Sequence, residues 1–298
     1  MKKVTIIGAG NVGATAAFVL GMKGICDIVL IDKFGDMAKG KAIDLTQCIS
    51  AQGINSKIIG TGDFSEMKDS DIIIITAGIP RKPGMTRDDL IKINKEIIGS
   101  ICKEIKNYSK DSILINVTNP MDAITNFISK QIDIPKNKLI GMGGVLDGMR
   151  FAQKIKKRIN LSFSDISTMV IGEHGNGMIP VPEYTTIKGI PITELIEKEE
   201  IEKIIEDTKN GGLEIVELLK NGSAFYAPGN AIAIMVKSIL NDEKNIVCAC
   251  SYLKENDVFI GMPVVLGKDG VEKVIMPDLS DELKEKFENS ISSLKSKL

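Results

Sequence analysis

The sequence predicts an α/β protein, with a doubly wound parallel sheet in its first half and an α+β second half. Three observations carry that expectation. Short apolar runs alternate with helical patterns up to about residue 141. One run, Ile72-Ile-Ile-Ile75, is apolar throughout, as a parallel strand buried on both faces requires. A glycine-rich turn, Gly8-Ala-Gly10-Asn-Val-Gly13, joins the first run directly to the first helical pattern.

In chain order the first half reads as six strands. They are Val4 to Ile7, Ile28 to Ile31, Lys57 to Ile59, Ile72 to Ile75, Ser112 to Val117 and Lys138 to Gly141. Helical patterns lie between them at Asn11 to Lys23, Asp36 to Ser50, Asp88 to Tyr108 and Met121 to Lys130. Gly143-Gly144 ends this alternation, and a helix is expected from Val145 to Ile159. Further strands are expected at Ser167 to Ile171, Met178 to Tyr184, Lys188 to Ile192, Ile246 to Leu253, Val258 to Ile260 and Pro263 to Leu266. Gly267-Lys-Asp-Gly270 reads as a hairpin turn. Helices are expected over Thr193 to Leu219, Ala224 to Leu240 and Ser280 to the end. The expected division is residues 1–142 and 143–298.

Bulk properties exclude several classes. With 43% hydrophobic and 26% charged residues, the 298-residue chain has the composition of a globular protein. A net charge of −1 gives no basic field for nucleic acid. No apolar run reaches the roughly 18 residues of a membrane span. Met1-Lys-Lys leads straight into a strand, so no secretory signal and a cytoplasmic location are expected. Cys26, Cys48, Cys102, Cys248 and Cys250 are odd in number and mostly scattered, which suits reduced thiols. Cys248 and Cys250 share one face of a strand and read as core residues. No metal site is expected.

The glycine turn has the context that gives it meaning. Gly8 makes the turn, Gly10 admits a pyrophosphate, and Gly13 lets helix and strand pack closely. Ala9, Asn11 and Val12 complete the loop, and the helix N-terminus faces the phosphates. Asp32 ends the second strand, nineteen residues beyond Gly13. Its carboxylate suits the ribose hydroxyls of NAD and repels the 2′-phosphate of NADP, although Lys33 stands beside it. These features make the first half a Rossmann-type NAD site. Thr76-Ala77-Gly78 and Val117-Thr118-Asn119 end the fourth and fifth strands, where such sheets bind ligands.

Three further segments point to chemistry. Residues 77–89 form a loop with two prolines and two glycines, and it carries Arg81 and Arg87 six residues apart. Arginine suits bidentate carboxylate recognition; the plainer reading is a solvated basic loop. Asp147 and Arg150 lie three apart on one helix face. They read either as a surface ion pair or as a carboxylate that orients a histidine beside an arginine that holds a substrate carboxylate. His174, the only histidine, stands in Gly172-Glu-His-Gly175. Imidazole is the side chain whose ordinary pKa lies nearest neutrality, so His174 is the candidate base. A lone histidine packed in a turn is the competing reading.

Together these segments resemble the lactate/malate dehydrogenase family over essentially the full chain. The shared motifs are GAGNVG, AGIPRKPGMTRDDL, VTNP, LDGMR and GEHG. The chain is most similar to the malate dehydrogenases of the lactate-dehydrogenase-like group, because lactate dehydrogenases typically have glutamine where Arg81 stands. The resemblance implies reversible hydride transfer between malate and NAD, giving oxaloacetate. It implies that His174 takes the hydroxyl proton and Asp147 pairs with it. Arg150 then grips the C1 carboxylate and Arg81 the distal one. Arg87 polarises the carbonyl oxygen, and Asn119 hydrogen-bonds it. Asn94 and Val117 lie along the cofactor, and Ser223-Ala224 line the far wall. A homo-oligomer, dimer or tetramer, is implied, although the N-terminal arm of some relatives is absent. Lactate oxidation is the alternative within the family. An NAD-dependent glycosidase would need metal ligands near the sole histidine. A non-catalytic NAD sensor would have no need of the five ionisable residues together.

Overall fold

A computed structural model describes residues 1–80 and 85–298, with backbone alone for residues 87 and 88. Six strands, β1 (Lys3–Ile7), β2 (Asp27–Ile31), β3 (Ile58–Thr61), β4 (Ile72–Ile75), β5 (Ile113–Asn116) and β6 (Leu139–Gly141), pair in parallel. Their order is β3-β2-β1-β4-β5-β6. The winding reverses between β1 and β4, and that reversal opens a crevice at the carboxyl ends of the strands.

Period-2 alternation sends successive side chains to opposite faces, and each face has its own cover. Val4, Ile6, Ile28, Leu30, Ile72 and Ile74 pack under α1 (Asn11–Lys23) and α2 (Gly35–Ser50). Ile7, Val29, Ile31, Ile73 and Ile75 pack under α3 (Arg87–Tyr108) and α4 (Met121–Gln131). All four residues of β4 are fully buried, which is why that run carries no polar residue. Each such side chain contributes about 1.5–3 kcal/mol by leaving water.

The second half opens with α5 (Gly144–Arg158), followed by β7 (Ile166–Ser167), β8 (Val170–Gly172), β9 (Met178–Pro180), β10 (Thr186–Ile187) and β11 (Ile190–Pro191). Then come α6 (Lys198–Leu219), α7 (Tyr226–Leu240), β12 (Asn245–Leu253), β13 (Val258–Gly267), β14 (Gly270–Val274) and α8 (Asp281–Lys295). β12 joins the parallel sheet antiparallel to β6 through the pair Cys250 and Gly141, and β13, β8 and β9 extend it. β11, β10 and β7 form a separate small sheet. Phe151 and Ile155 of α5 pack with Ile201 and Ile204 of α6. α7 lies against α1 so closely that a Cβ on Gly229 would stand 2.6 Å from the Thr15 methyl.

Most expected elements form, with five differences. The strand expected over Met178 to Tyr184 ends at Pro180, and Pro182–Tyr184 turns as a 3-10 helix. The run from Ser167 to Ile171 divides between two sheets, because the chain bends between β7 and β8. Lys188 is not in a strand; it has φ +51° in the turn between β10 and β11. The segment from Thr193 begins as a single 3-10 turn, and the helix starts only at Lys198. Buried Ile192 donates its N–H to Thr185, which ties that segment to the small sheet first. Finally, β13 runs unbroken through Gly261-Met262-Pro263. Pro263 has no N–H to give, but its carbonyl accepts from Ile275, so the sheet tolerates it.

Candidate active site

The dinucleotide turn is shaped by backbone contacts. Gly8 has φ +111°, which L side chains rarely adopt, and its N–H donates to the Ile31 carbonyl at 2.7 Å. Thr76 Oγ1 donates to the Gly8 carbonyl at 2.9 Å. A Cβ on Gly13 would lie 1.9 Å from that same carbonyl oxygen, so only glycine lets α1 approach β1. A Cβ on Gly10 would meet nothing within 4 Å. No side chain caps α1, so its first N–H groups face this open space. Asp32 accepts from Ala9 N–H at 2.8 Å and from Phe34 N–H at 3.0 Å. Lys41 Nζ donates to the Ala9 carbonyl at 2.6 Å, and the Lys33 ammonium sits 4.8 Å from the Phe34 ring centroid. An uncapped helix N-terminus, an unobstructed Gly10 and a carboxylate at the end of β2 fit a dinucleotide.

The two glycines therefore separate stability from binding. Gly13→Ala is expected to lower the urea midpoint by the equivalent of about 1–3 kcal/mol or more. Gly10→Ala should change stability by less than about 0.5 kcal/mol yet weaken NADH binding, read by NADH fluorescence. Equal effects of both substitutions on stability would contradict this reading of the turn.

The crevice walls come from the ends of β4 and β5. Thr118 Oγ1 donates to the Ala77 carbonyl at 2.7 Å and links the two segments. Asn94 of α3 is 1% exposed, and its amide is spent on backbone. Its Oδ1 accepts from Ile79 N–H at 2.9 Å, and its Nδ2 donates to the Asn119 carbonyl at 2.7 Å. Asn94 thus pins the two walls together, whereas Asn119 itself is exposed at the rim and Val117 is half-buried. Thr86 caps α3 reciprocally with Asp89, and its two hydrogen bonds hold the Asp89 carboxyl below its usual range. Arg81 lies outside the described residues, and so does the side chain of Arg87. Ser223 and Ala224 lie in the connection between α6 and α7, with Ser223 exposed.

Opposite the crevice, α5 and the β8–β9 connection bring three predicted residues together. His174 Nδ1 and Asp147 Oδ2 are 2.7 Å apart. Arg150 Nη1 donates to Asp147 Oδ1 at 3.3 Å. The surface reading of the Asp147–Arg150 pair fails, since the Asp147 side chain is only 1% exposed. A Cβ on Gly212 would meet the Arg150 guanidinium at 3.3 Å, so glycine in α6 makes room for it. Burial pulls the His174 pKa down, but the charge and hydrogen bond of Asp147, with the charge of Asp122, outweigh it and hold the imidazole above its ordinary range. With Nδ1–H engaged by Asp147, Nε2 is the nitrogen left to exchange a proton.

Two further supports were invisible in the motifs. Asp122 of α4 accepts the His174 backbone N–H at 2.7 Å. The turn is also braced from behind by α8: Ser290 Oγ accepts from Glu173 N–H at 2.9 Å and donates to the Gly177 carbonyl at 3.0 Å. Lys297 Nζ reaches both carboxylate oxygens of the buried Glu173, at 2.7 and 2.6 Å. Burial pushes the thiols of Cys26 and Cys102 up to about 12, so neither is a nucleophile. Among the described residues no cluster of three or more His, Cys, Asp or Glu could hold a metal. No described helix is long and apolar enough to cross a membrane.

Comparison with known proteins agrees over the whole length. The family described as lactate/malate dehydrogenase, NAD binding domain, matches residues 2–141, and its alpha/beta C-terminal domain matches residues 144–298. The chain is 45% identical to a malate dehydrogenase of Bacillus cytotoxicus, covering 99% of this chain and 96% of that one. Among solved structures it is similar to the apo malate dehydrogenase of Picrophilus torridus, with TM-score 0.95, 41% identity, and coverage of 99% and 96%. It is also similar to the lactate dehydrogenase of Cryptosporidium parvum in complex with lactic acid and nicotinamide adenine dinucleotide. There the TM-score is 0.96 at 33% identity, with coverage of 99% and 96%.

Proposed function

The chain belongs to the lactate/malate dehydrogenase family, and on that footing we propose that it interconverts (S)-malate and oxaloacetate with NAD. The observation that carries the chemistry is the His174–Asp147 pair at 2.7 Å with Arg150 beside it. When bound, the nicotinamide ring supplies the hydride acceptor. In malate oxidation neutral His174 takes the hydroxyl proton at Nε2 as the hydrogen on C2 departs with its electron pair. The alcohol becomes a ketone, and the proton rests on the imidazole. Asp147 offsets that new positive charge and fixes the ring orientation, the role of the acid in a hydrolase triad. Arg150 holds the C1 carboxylate and Arg81 the distal carboxylate. Arg87 and Asn119 hydrogen-bond the reacting oxygen, and Arg87 stabilises charge that develops there.

Oxaloacetate and pyruvate, each with NADH and NADPH, test this reading in one steady-state assay. Substantial pyruvate reduction at the expense of oxaloacetate would favour the lactate reading, and no turnover of either would remove the dehydrogenase reading. NADH is expected to be strongly preferred over NADPH, because a 2′-phosphate beside the Asp32 carboxylate would bring like charge. Equal kcat/KM for the two cofactors would overturn that role for Asp32. The proposal extends to a homo-oligomer, dimer or tetramer, in the cytoplasm. Exposed Phe18, Met37 and Ile43 on α1 and α2 are apolar surface such an assembly could cover.

A further inference from the structure

The catalytic turn rests on a second carboxylate. Asp122 follows Met121 at the start of α4, and it is 2% exposed. Its Oδ2 accepts the backbone N–H of His174 at 2.7 Å, across fifty-two residues of chain. Its Oδ1 has no nitrogen or oxygen partner among the described residues. A buried carboxylate with an open oxygen is expensive in isolation, and such groups persist where something compensates their charge.

The surroundings show what compensates it. Asp122 faces His174 from the β8–β9 connection, Glu173 beside it, and the Cys250 thiol from β12. His174 in turn faces Asp147 and Arg150 from α5. On its own helix, the Thr125 hydroxyl is turned to the Met121 carbonyl, and the Asn126 amide is clamped to Phe259 of β13 in both directions. The Cys250 thiol stays protonated, pushed well up by burial and by Asp122. The one group that becomes positive when the site works, and that Asp122 touches, is His174.

We propose that Asp122 is a positioning residue of this site: it holds the His174 turn through the backbone N–H and supplies a second negative charge to the imidazolium. Asp147 and Asp122 then act on the same residue from two elements, one through the ring and one through the main chain. Arg150 opposes both, so the pair of carboxylates keeps His174 protonatable beside a fixed guanidinium. Burial pushes the Asp122 carboxyl itself up to about 6, while the His174 charge and N–H pull it back. The charge of each group thus favours the charge of the other. This inference rests on the dehydrogenase reading for its functional meaning.

Because His174 is the only histidine, its ring resonances can be titrated by NMR in the full protein with no substrate present. Asp122→Asn keeps an oxygen that accepts the His174 N–H and removes the charge. Its His174 pKa should fall by about one unit, and the pH profile of oxaloacetate reduction should shift by the same amount, with melting temperature near that of wild type. Asp122→Ala should also lower kcat, because it leaves a buried N–H unpaired. An unchanged His174 pKa in folded Asp122→Asn would overturn the proposal. Wild type alone also tests it: the two carboxylates should hold the His174 pKa above the ordinary 6.5 despite burial and Arg150, and a value at or below it would overturn the proposal even if the variants do not fold. Wild type inert towards oxaloacetate would instead sink the dehydrogenase reading, and the titration would still measure the pair.

Discussion

His174→Asn is expected to reduce turnover about 10²–10⁴-fold while leaving NADH binding intact. The geometry separates the two functions. His174 lies on the β8–β9 connection in the second half, whereas Gly8 and Asp32 follow the ends of β1 and β2, and Gly10 and Gly13 lie at the start of α1. Asparagine keeps a polar group in the turn and the backbone N–H to Asp122, but it cannot take a proton. Single-turnover absorbance of NADH, with separate fluorescence titration of NADH, distinguishes lost chemistry from lost binding. A variant with near-normal turnover would show that His174 is not the base.

The pH dependence has a defined sign. Burial lowers the His174 pKa, but Asp147 and then Asp122 favour the imidazolium and raise it above the ordinary value of 6.5. Malate oxidation needs the neutral ring, so its kcat/KM should rise with pH through that elevated pKa. Oxaloacetate reduction needs the protonated ring and should fall through it. Asp147→Asn should move both limbs to lower pH, since the largest favourable charge is removed.

The second large effect is expected at Arg81, a residue outside the described part of the chain, so this prediction stands on the sequence alone. If Arg81 pairs with the distal carboxylate in a closed, water-poor site, as proposed, pyruvate would leave its guanidinium facing a methyl group. Leaving a buried charge unpaired costs about 3–5 kcal/mol, and each 1.4 kcal/mol is about tenfold. Wild type should therefore prefer oxaloacetate over pyruvate by roughly a hundredfold or more in kcat/KM. Arg81→Gln should depress oxaloacetate reduction sharply and raise pyruvate reduction in relative terms. Arg87→Gln should impair both substrates, because the carbonyl it is proposed to address is common to them. Impairment of the two substrates in one ratio by both variants would refute this division of labour.

Much of the site could be read from local sequence because local chemistry dictates it. Gly8 must take positive φ, Gly13 must admit the Gly8 carbonyl, and Asp32 must follow the second strand; each requirement leaves a mark at a fixed spacing. His174 could be singled out because it is unique. Asp147 and Arg150 could be paired because helical period places them together, yet their spacing serves a surface ion pair equally well. Burial decided between those readings, and burial is a property of what α5 packs against.

The alternation of apolar runs, the turn glycines and the motif residues were enough to determine the α/β class, the parallel first sheet and the family. The tertiary structure alone decided where β12 and β13 extend that sheet, that the run from Ser167 divides between two sheets, and that Pro263 stays within a strand. It also decided what supports the His174 turn. Asp122 meets His174 across fifty-two residues, and Lys297 meets Glu173 across one hundred and twenty-four. The physical reason is range. Periodicity and turn chemistry act between residues a few positions apart, whereas a buried carboxylate takes its partner from whichever element the folded core brings against it.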